Sequence, residues 1–326
     1  MEATQRLHRL KTLLAFAIIY FVWGSTFLAI RVGVHEVPPF LLAGIRFSAA
    51  GIVLYIWMRA RGVASPSFRQ WASVSLLAVL IFVLDYGLLF WAEQRVPSGI
   101  AAVMMATIPA FMALAEILVL RTQSLTLRLG LALLVGIGGV AILVNRSVGF
   151  GEGPINISGA LALVVAAISW SLASVLTRKL ALPESKVMSS GAQMLAGGVL
   201  LTMTAAMLGE FRGFHIRAVS SGAWFALAYL IFAGSVIGFT AYVWLIHHES
   251  PTKVGTYAYV NPVVAVLVGY FLGGEALGAR TVLGTFLVLI SVVVIRTTPK
   301  NKAESEASVK PADSRYRRPA SETEGV

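Results

Sequence analysis

Apolar residues dominate this chain in long runs, interrupted at regular intervals by short polar stretches. The runs fall near 11–31, 39–58, 70–92, 97–120, 126–144, 157–179, 188–208, 221–246, 251–272 and 278–296. Each has the roughly 20 residues that a helix rising 1.5 Å per residue needs to cross a bilayer. The breaks carry turn and charge signals: Pro38-Pro39, Arg59 to Arg69, Glu93 to Pro97, Asn145 to Pro154, Pro183 to Lys186, and Glu249 to Pro251. The pattern predicts an all-α integral membrane protein with ten transmembrane helices. Residues 1–10 form a short N-terminus, and 297–326 is polar and without periodicity, which predicts a disordered tail.

Composition strengthens the membrane assignment. Hydrophobic residues make up 57% of the chain and charged residues 13%, with a mean hydropathy of +0.81. Soluble domains carry about 25% charged residues to cover their surface, and lipid removes that need. Cysteine is absent, which excludes disulfides, thiolate metal sites and a cysteine nucleophile. Arg6, Arg9 and Lys11 precede the first run, but 19 apolar residues without a small-x-small cleavage site favour a retained span over a signal peptide.

The net charge of +11 acquires a meaning once the spans are placed. With the N-terminus in the cytoplasm, nineteen basic residues fall on the inner side and six on the outer, Arg46 alone lying within a span. Both termini are therefore expected on the cytoplasmic side of the membrane. No stripe of interleaved basic and aromatic residues accompanies the charge, so no nucleic-acid partner is expected.

The two halves echo each other. Trp23 and Trp170, Arg31 and Arg178, and Gly44 and Gly191 are each separated by 147 residues. Pro97 and Pro251 each open a span that contains a second proline, Pro109 and Pro262, and Gly130 and Gly284 fall near matching points. The chain divides into a first repeat at 11–144, a connection at 145–156 and a second repeat at 157–296. Five spans per half invert the second repeat relative to the first, an arrangement that offers one central site to either side in turn.

At the residue level the chain resembles the EamA-type drug/metabolite transporters, in particular their YedA-like bacterial exporters. The resemblance rests on Trp23-Gly24-Ser25-Thr26-Phe27, Arg46-Phe47, Ala92-Glu93-Gln94, Pro97-Ser98-Gly99-Ile100-Ala101-Ala102, Tyr259-Val260-Asn261-Pro262 and Gly274-Glu275. It spans 11–296 and implies two inverted five-helix repeats around a cavity walled by the first four helices of each. It also implies efflux of amino acids, related metabolites or drugs. Two departures bear on charge. Arg121 stands at the first-repeat position matching Glu275, and Asp85 stands where relatives often carry a neutral polar residue.

Candidate chemistry concentrates on few residues. Arg46, Asp85 and Glu116 are ionisable groups inside spans, where a charge costs at least about 2.5–3.5 kcal/mol. Arg46 and Asp85 lie at similar depth and either bridge two helices or line the cavity. In the cavity Arg46 suits a substrate carboxylate and Asp85 a proton. Glu116 and Glu275 are expected to be structural charges. Trp23, Tyr86, Trp170, Tyr242 and Tyr259 join Arg46 and Asp85 as cavity candidates, with packing as the alternative for the aromatics. Pro109 and Pro262 each remove a backbone donor and are candidate hinges, the alternative being a static kink. Gly234/Gly238, Gly269/Gly273 and Ala132/Gly136 read as packing surfaces.

No Walker A sequence, HExxH, GxSxG or carbonyl-filter motif occurs. The expected function is secondary, non-ATP transport of small metabolites by alternating access. A channel-like or facilitative permease is the alternative, an intramembrane enzyme is disfavoured, and no cofactor or metal is expected. The expected partners are a small-molecule substrate and the lipid bilayer; monomer and homodimer both remain open.

Overall fold

The computed structural model describes residues 2–120, 126–144, 156–177, 179–249, 254 and 256–296. The expected tail at 297–326, most of the connection at 145–156, and Arg121, Arg178 and Pro251 lie outside the described residues. Among the described residues all regular structure is helical. Seven helices are long and apolar enough to cross a membrane: α1 (Arg6–Val34), α2 (Pro39–Ala60), α3 (Phe68–Glu93), α4 (Ser98–Leu118), α6 (Ile157–Leu176), α7 (Lys186–Met207) and α8 (Ser221–Leu245). Three apolar helices are shorter: α5 (Leu127–Val144), α9 (Tyr257–Gly273) and α10 (Ala279–Arg296). The helix expected from 251 is described from Tyr257.

The helix ends follow from local chemistry. Ser67 closes the start of α3 with Gln70 in a reciprocal capping box. Asn156, Ser185 and Ser220 accept from Gly159, Met188 and Ala223 N–H groups at the starts of α6, α7 and α8. Gly274 ends α9 in the left-handed region, at φ 62°, which a side chain would resist.

α2 and α7 form the most extensive helix pair. Glycines let their backbones meet: a Cβ on Gly51 would collide with Leu195 N, and one on Gly198 with Ser48 N. A Cβ on Gly44 would likewise stand 3.0 Å from Thr202 N, and one on Gly191 3.0 Å from Tyr55 N. Residue numbers rise along one helix as they fall along the other, so the pair is antiparallel. α5 and α10 form a second close pair, Gly139 against the Gly284 carbonyl and Gly136 against Ser291. Large apolar side chains such as Phe225, Phe271 and Leu272 stay exposed on the outside, a surface suited to lipid rather than water.

Four helices carry stretches wound to the wider π pattern: Ile18–Val22 in α1, Val79–Gly87 in α3, Glu116–Leu120 running past the end of α4, and Leu230–Ile237 in α8. Such stretches shift the register of side chains and leave backbone carbonyls in need of partners. Serines of α6 serve two irregular regions: Ser169 Oγ donates to the Leu80 carbonyl at 2.8 Å and Ser171 Oγ to that of Ile108 at 3.0 Å.

At the end of the bundle where α2, α4 and α8 begin, carboxylates from distant connections close the helix starts. Glu210, after α7, accepts from Leu41 N at 2.8 Å and Phe40 N at 3.4 Å in α2. Glu275, after α9, accepts from Ser98 N and Oγ at 2.7 Å and Gly99 N at 3.0 Å in α4. Glu36, after α1, accepts from Ser220 N and Oγ at 2.6 Å, at the start of α8. Each places negative charge on free N–H groups at the positive end of a helix dipole.

Candidate functional site

A cavity of about 260 Å³ lies at the centre of the bundle, lined by residues of α1–α4 and α6–α9. Of the residues singled out from the sequence, Trp23, Arg46, Asp85, Tyr86, Trp170, Tyr242, Pro109 and Pro262 line it. Tyr259 does not. Its hydroxyl donates to the Val292 carbonyl of α10 at 3.5 Å, and its ring packs with Val103, Leu143 and Val288, so the helical turn that carries Tyr257 and Asn261 to the cavity turns Tyr259 away.

Arg46 and Asp85 share the cavity wall but form no ion pair with each other, whereas Arg31 and Glu275 do, at 3.5 Å. Arg46 is 3% exposed and its Nε donates to Ser235 Oγ at 3.1 Å. Its guanidinium carbon lies 4.6 Å from the ring centre of Phe47, 5.5 Å from Tyr86 and 5.8 Å from Phe90. These faces attract a cation without neutralising it. Nη1 of Arg46 and Oδ1 of Asp85 have no hydrogen-bond partner in the protein. Buried polar atoms are ordinarily bonded, so two cavity-lining side chains with unused bonding capacity suit a polar ligand.

The aromatic lining forms two groups. Trp23 sits 5.4 Å from both Tyr242 and Tyr257, edge-on to the latter, and its Nε1 donates to the Gly234 carbonyl at 3.0 Å. Phe47, Phe82 and Tyr86 cluster at 4.6–5.9 Å, and Tyr86 meets Trp170 edge-on at 5.9 Å. The walls are therefore apolar and flat, with polarity confined to a few points.

Both prolines act on cavity-lining turns. α4 is interrupted at Ala106–Thr107, and Pro109 begins its second segment at the point where an N–H for the Met105 carbonyl is missing. Pro262 lies inside α9 and likewise has no N–H for the carbonyl of Ala258. Met105 and Ala258 both line the cavity.

Glu116 is half-buried at the start of the widened turn of α4, away from the lining, and Glu275 caps α4 beside Arg31. The small-residue pairs face neighbouring helices: Gly234 and Gly238 meet Thr26 and Trp23, Gly273 meets Leu28, and Gly136 meets Ser291.

Several residues of the site had not been singled out. Gln193 lines the cavity 147 residues after Arg46, so the repeat spacing of the tryptophans was the signal that pointed to it. Asn261 also lines it. With its amide nitrogen turned to the carbonyls of Ile19, Tyr20 and Tyr257, as the surrounding acceptors require, it binds them at 3.1–3.2 Å. Ser235 carries no sequence signal, because its role depends on Arg46, 189 residues away. Glu93 is fully buried with neither oxygen partnered, outside the lining.

Helices of spanning length, a lipid-suited exterior and a central cavity of mixed aromatic and charged character define a polytopic membrane protein. The comparisons agree with that class. The model of the EamA-like transporter family matches residues 10–145 and again 157–297. The chain belongs to the EamA-like transporter family, within the drug/metabolite transporter superfamily, and is a membrane transporter. It is similar to the uncharacterized inner membrane transporter YedA of Escherichia coli K12, with 37% identity over 284 residues, 86% of this chain and 89% of YedA. It is also 24% identical to the uncharacterized transporter YvbV of Bacillus subtilis over 310 residues, 94% of this chain and 97% of YvbV. A solved crystal structure shares the fold at a TM-score of 0.59 and 21% identity, over 87% of this chain and 96% of that one.

Proposed function

We propose that this protein is a secondary transporter that exports small amphipathic metabolites, such as amino acids, or amphipathic drugs, by alternating access across the bacterial inner membrane. The observation that carries the proposal is the central cavity, whose walls come from both halves and bring aromatic side chains together with Arg46 and Asp85, each of which keeps one polar atom without a protein partner. Arg46 receives a substrate carboxylate, the rings hold the apolar body, and Asp85 receives an ammonium group or a proton.

Ten spans in two inverted five-helix repeats form an architecture that supports alternating access. Support comes from the family model matching twice and from the α2–α7 contacts, where Gly51–Leu195 and Ser48–Gly198 are related by the same shift of 147 residues. The cavity is lined by Ser190, Tyr257 and Ala258, near the starts of α7 and α9, whereas the opposite end carries the Glu36, Glu210 and Glu275 caps. With both termini cytoplasmic, as basic-residue asymmetry favours, that arrangement is a state closed outside and directed toward the cytoplasm. Its partners are then the transported molecule and the bilayer.

The test is counterflow in proteoliposomes with a panel of amino acids and amphipathic drugs, with and without a pH gradient. Saturable counterflow lost on Arg46→Gln is expected. Absence of saturable flux for every compound would count against transport of this class, and unchanged pH dependence in Asp85→Asn would remove proton exchange at that residue.

A further inference from the structure

The guanidinium of Arg46 does not orient itself. α2 places its Cα on the cavity wall, but the long side chain has several rotatable bonds, and the neighbouring rings of Phe47, Tyr86 and Phe90 attract positive charge without directing any one N–H. The directing contact comes from the other half of the chain. Ser235 lies in the widened turn of α8, is 2% exposed, and accepts from Arg46 Nε at 3.1 Å. Its single hydroxyl proton is committed to the Leu230 carbonyl, five residues back, at 2.9 Å. A hydroxyl has one donor and two acceptor positions, so that commitment leaves Ser235 only able to accept toward Arg46. The preceding residue, Gly234, supplies room: a Cβ there would come within 3.3 Å of Arg46 Nη2 and 2.9 Å of the Thr26 methyl.

We infer that the Gly234–Ser235 turn of α8 is the positioning element for Arg46, anchoring Nε so that the guanidinium on the cavity wall is held in one orientation for a carboxylate and the site selects acids over their neutral isosteres. Ser235 is a positioning residue and does not itself touch the ligand. The inference rests on Arg46 being the carboxylate-binding group, as proposed above. A guanidinium binds a carboxylate well only when its planar fork is held in register, so freeing Nε lowers the preference for the acid without removing the charge. It also makes selectivity depend on α8: a change in that turn's pitch during transport would loosen the grip on the acid.

The experiment measures binding of phenylacetate and phenylacetamide, an acid and its neutral isostere, to the detergent-solubilised full-length protein by tryptophan fluorescence, Trp23 and Trp170 being in the cavity wall. The wild-type protein is expected to prefer the acid by about tenfold or more, the scale of a charge-assisted hydrogen bond. Ser235→Ala is expected to lose most of that preference while amide binding stays level, and Ser235→Thr, which retains the hydroxyl, to restore it. Gly234→Ala keeps the serine but crowds Nη2, and is expected to reduce the preference as well, so the outcome does not depend on one variant folding. A preference retained in both Ser235→Ala and Gly234→Ala would overturn the positioning role. A wild-type protein without preference, or one whose preference survives Arg46→Gln, would instead overturn the Arg46 assignment and this inference with it.

Discussion

Glu275 and Ser98, 177 residues apart, are joined by two hydrogen bonds of 2.7 Å, to the serine's backbone nitrogen and to its hydroxyl. Pro97, at the N-cap position of α4, offers no side-chain acceptor, so the first N–H groups of that helix are satisfied from the connection between α9 and α10. The same carboxylate meets Arg31 Nε at 3.5 Å, and Arg31 Nη1 donates to the Val96 carbonyl at 2.9 Å. One acidic side chain thus ties together α1, α4 and α9.

Removing that tie is expected to destabilise the protein measurably. Glu275→Ala leaves buried N–H groups at Ser98 and Gly99 unpaired, at a cost of about 1–3 kcal/mol. Glu275→Gln keeps an acceptor oxygen and should cost less. The midpoint of thermal unfolding in detergent reads the difference, and an unchanged midpoint in Glu275→Ala would refute the capping role.

The α2–α7 crossing predicts a position-specific response to alanine. At Gly51 or Gly198 a methyl group collides with backbone of the other helix, which cannot move aside as a side chain can, and the expected loss is about 1–3 kcal/mol. At Gly138, where nothing lies within 4 Å, the same change should be neutral or raise stability by up to about 1 kcal/mol through helix propensity. Unfolding midpoints of the three variants, measured side by side, give the comparison.

The prolines predict a kinetic phenotype. Pro109→Ala and Pro262→Ala restore an N–H for the Met105 and Ala258 carbonyls and stiffen turns that line the cavity. If those turns flex during transport, maximal flux should fall severalfold with little change in the half-saturating concentration. Initial counterflow rates over a concentration series separate the two quantities, and flux equal to wild type would make the kinks static.

Two of the capping carboxylates lie outside the spans and predict opposite pH effects. The Ser220 hydroxyl and backbone N–H hold the Glu36 carboxyl below its ordinary value, so its contribution is complete above that value and is lost as pH falls through the lowered one. Burial holds Glu210 above its ordinary value despite the Leu41 and Phe40 N–H groups, so the folded state gains as pH falls from the raised value to the ordinary one. Glu36→Gln should flatten the acid limb of a stability-against-pH profile, and Glu210→Gln the limb above it. A profile unaltered by either variant would contradict both.

Much of the architecture was legible along the chain, because bilayer thickness sets helix length and lipid tolerates apolar surface. The runs at 39–58 and 221–246 fall close to α2 and α8. Buried charge drew attention to Arg46 and Asp85 for the same reason: membrane depth makes an ionisable residue costly wherever its partner lies.

What each residue meets was decided only by tertiary structure. Arg46 and Asp85 both line the cavity, yet Arg46 turns its Nε to Ser235, in a widened turn of α8 that no sequence pattern signals. Tyr259 sits in the same turn as Tyr257 and Asn261, but packs toward α10 because successive residues point to different sides of a helix. Sequence by itself determined the helical class, the apolar spans and which residues are expensive to bury. Those properties depend on composition and local spacing. The pairing of those residues across the cavity depends on helix rotation and register, which emerge only when the helices pack.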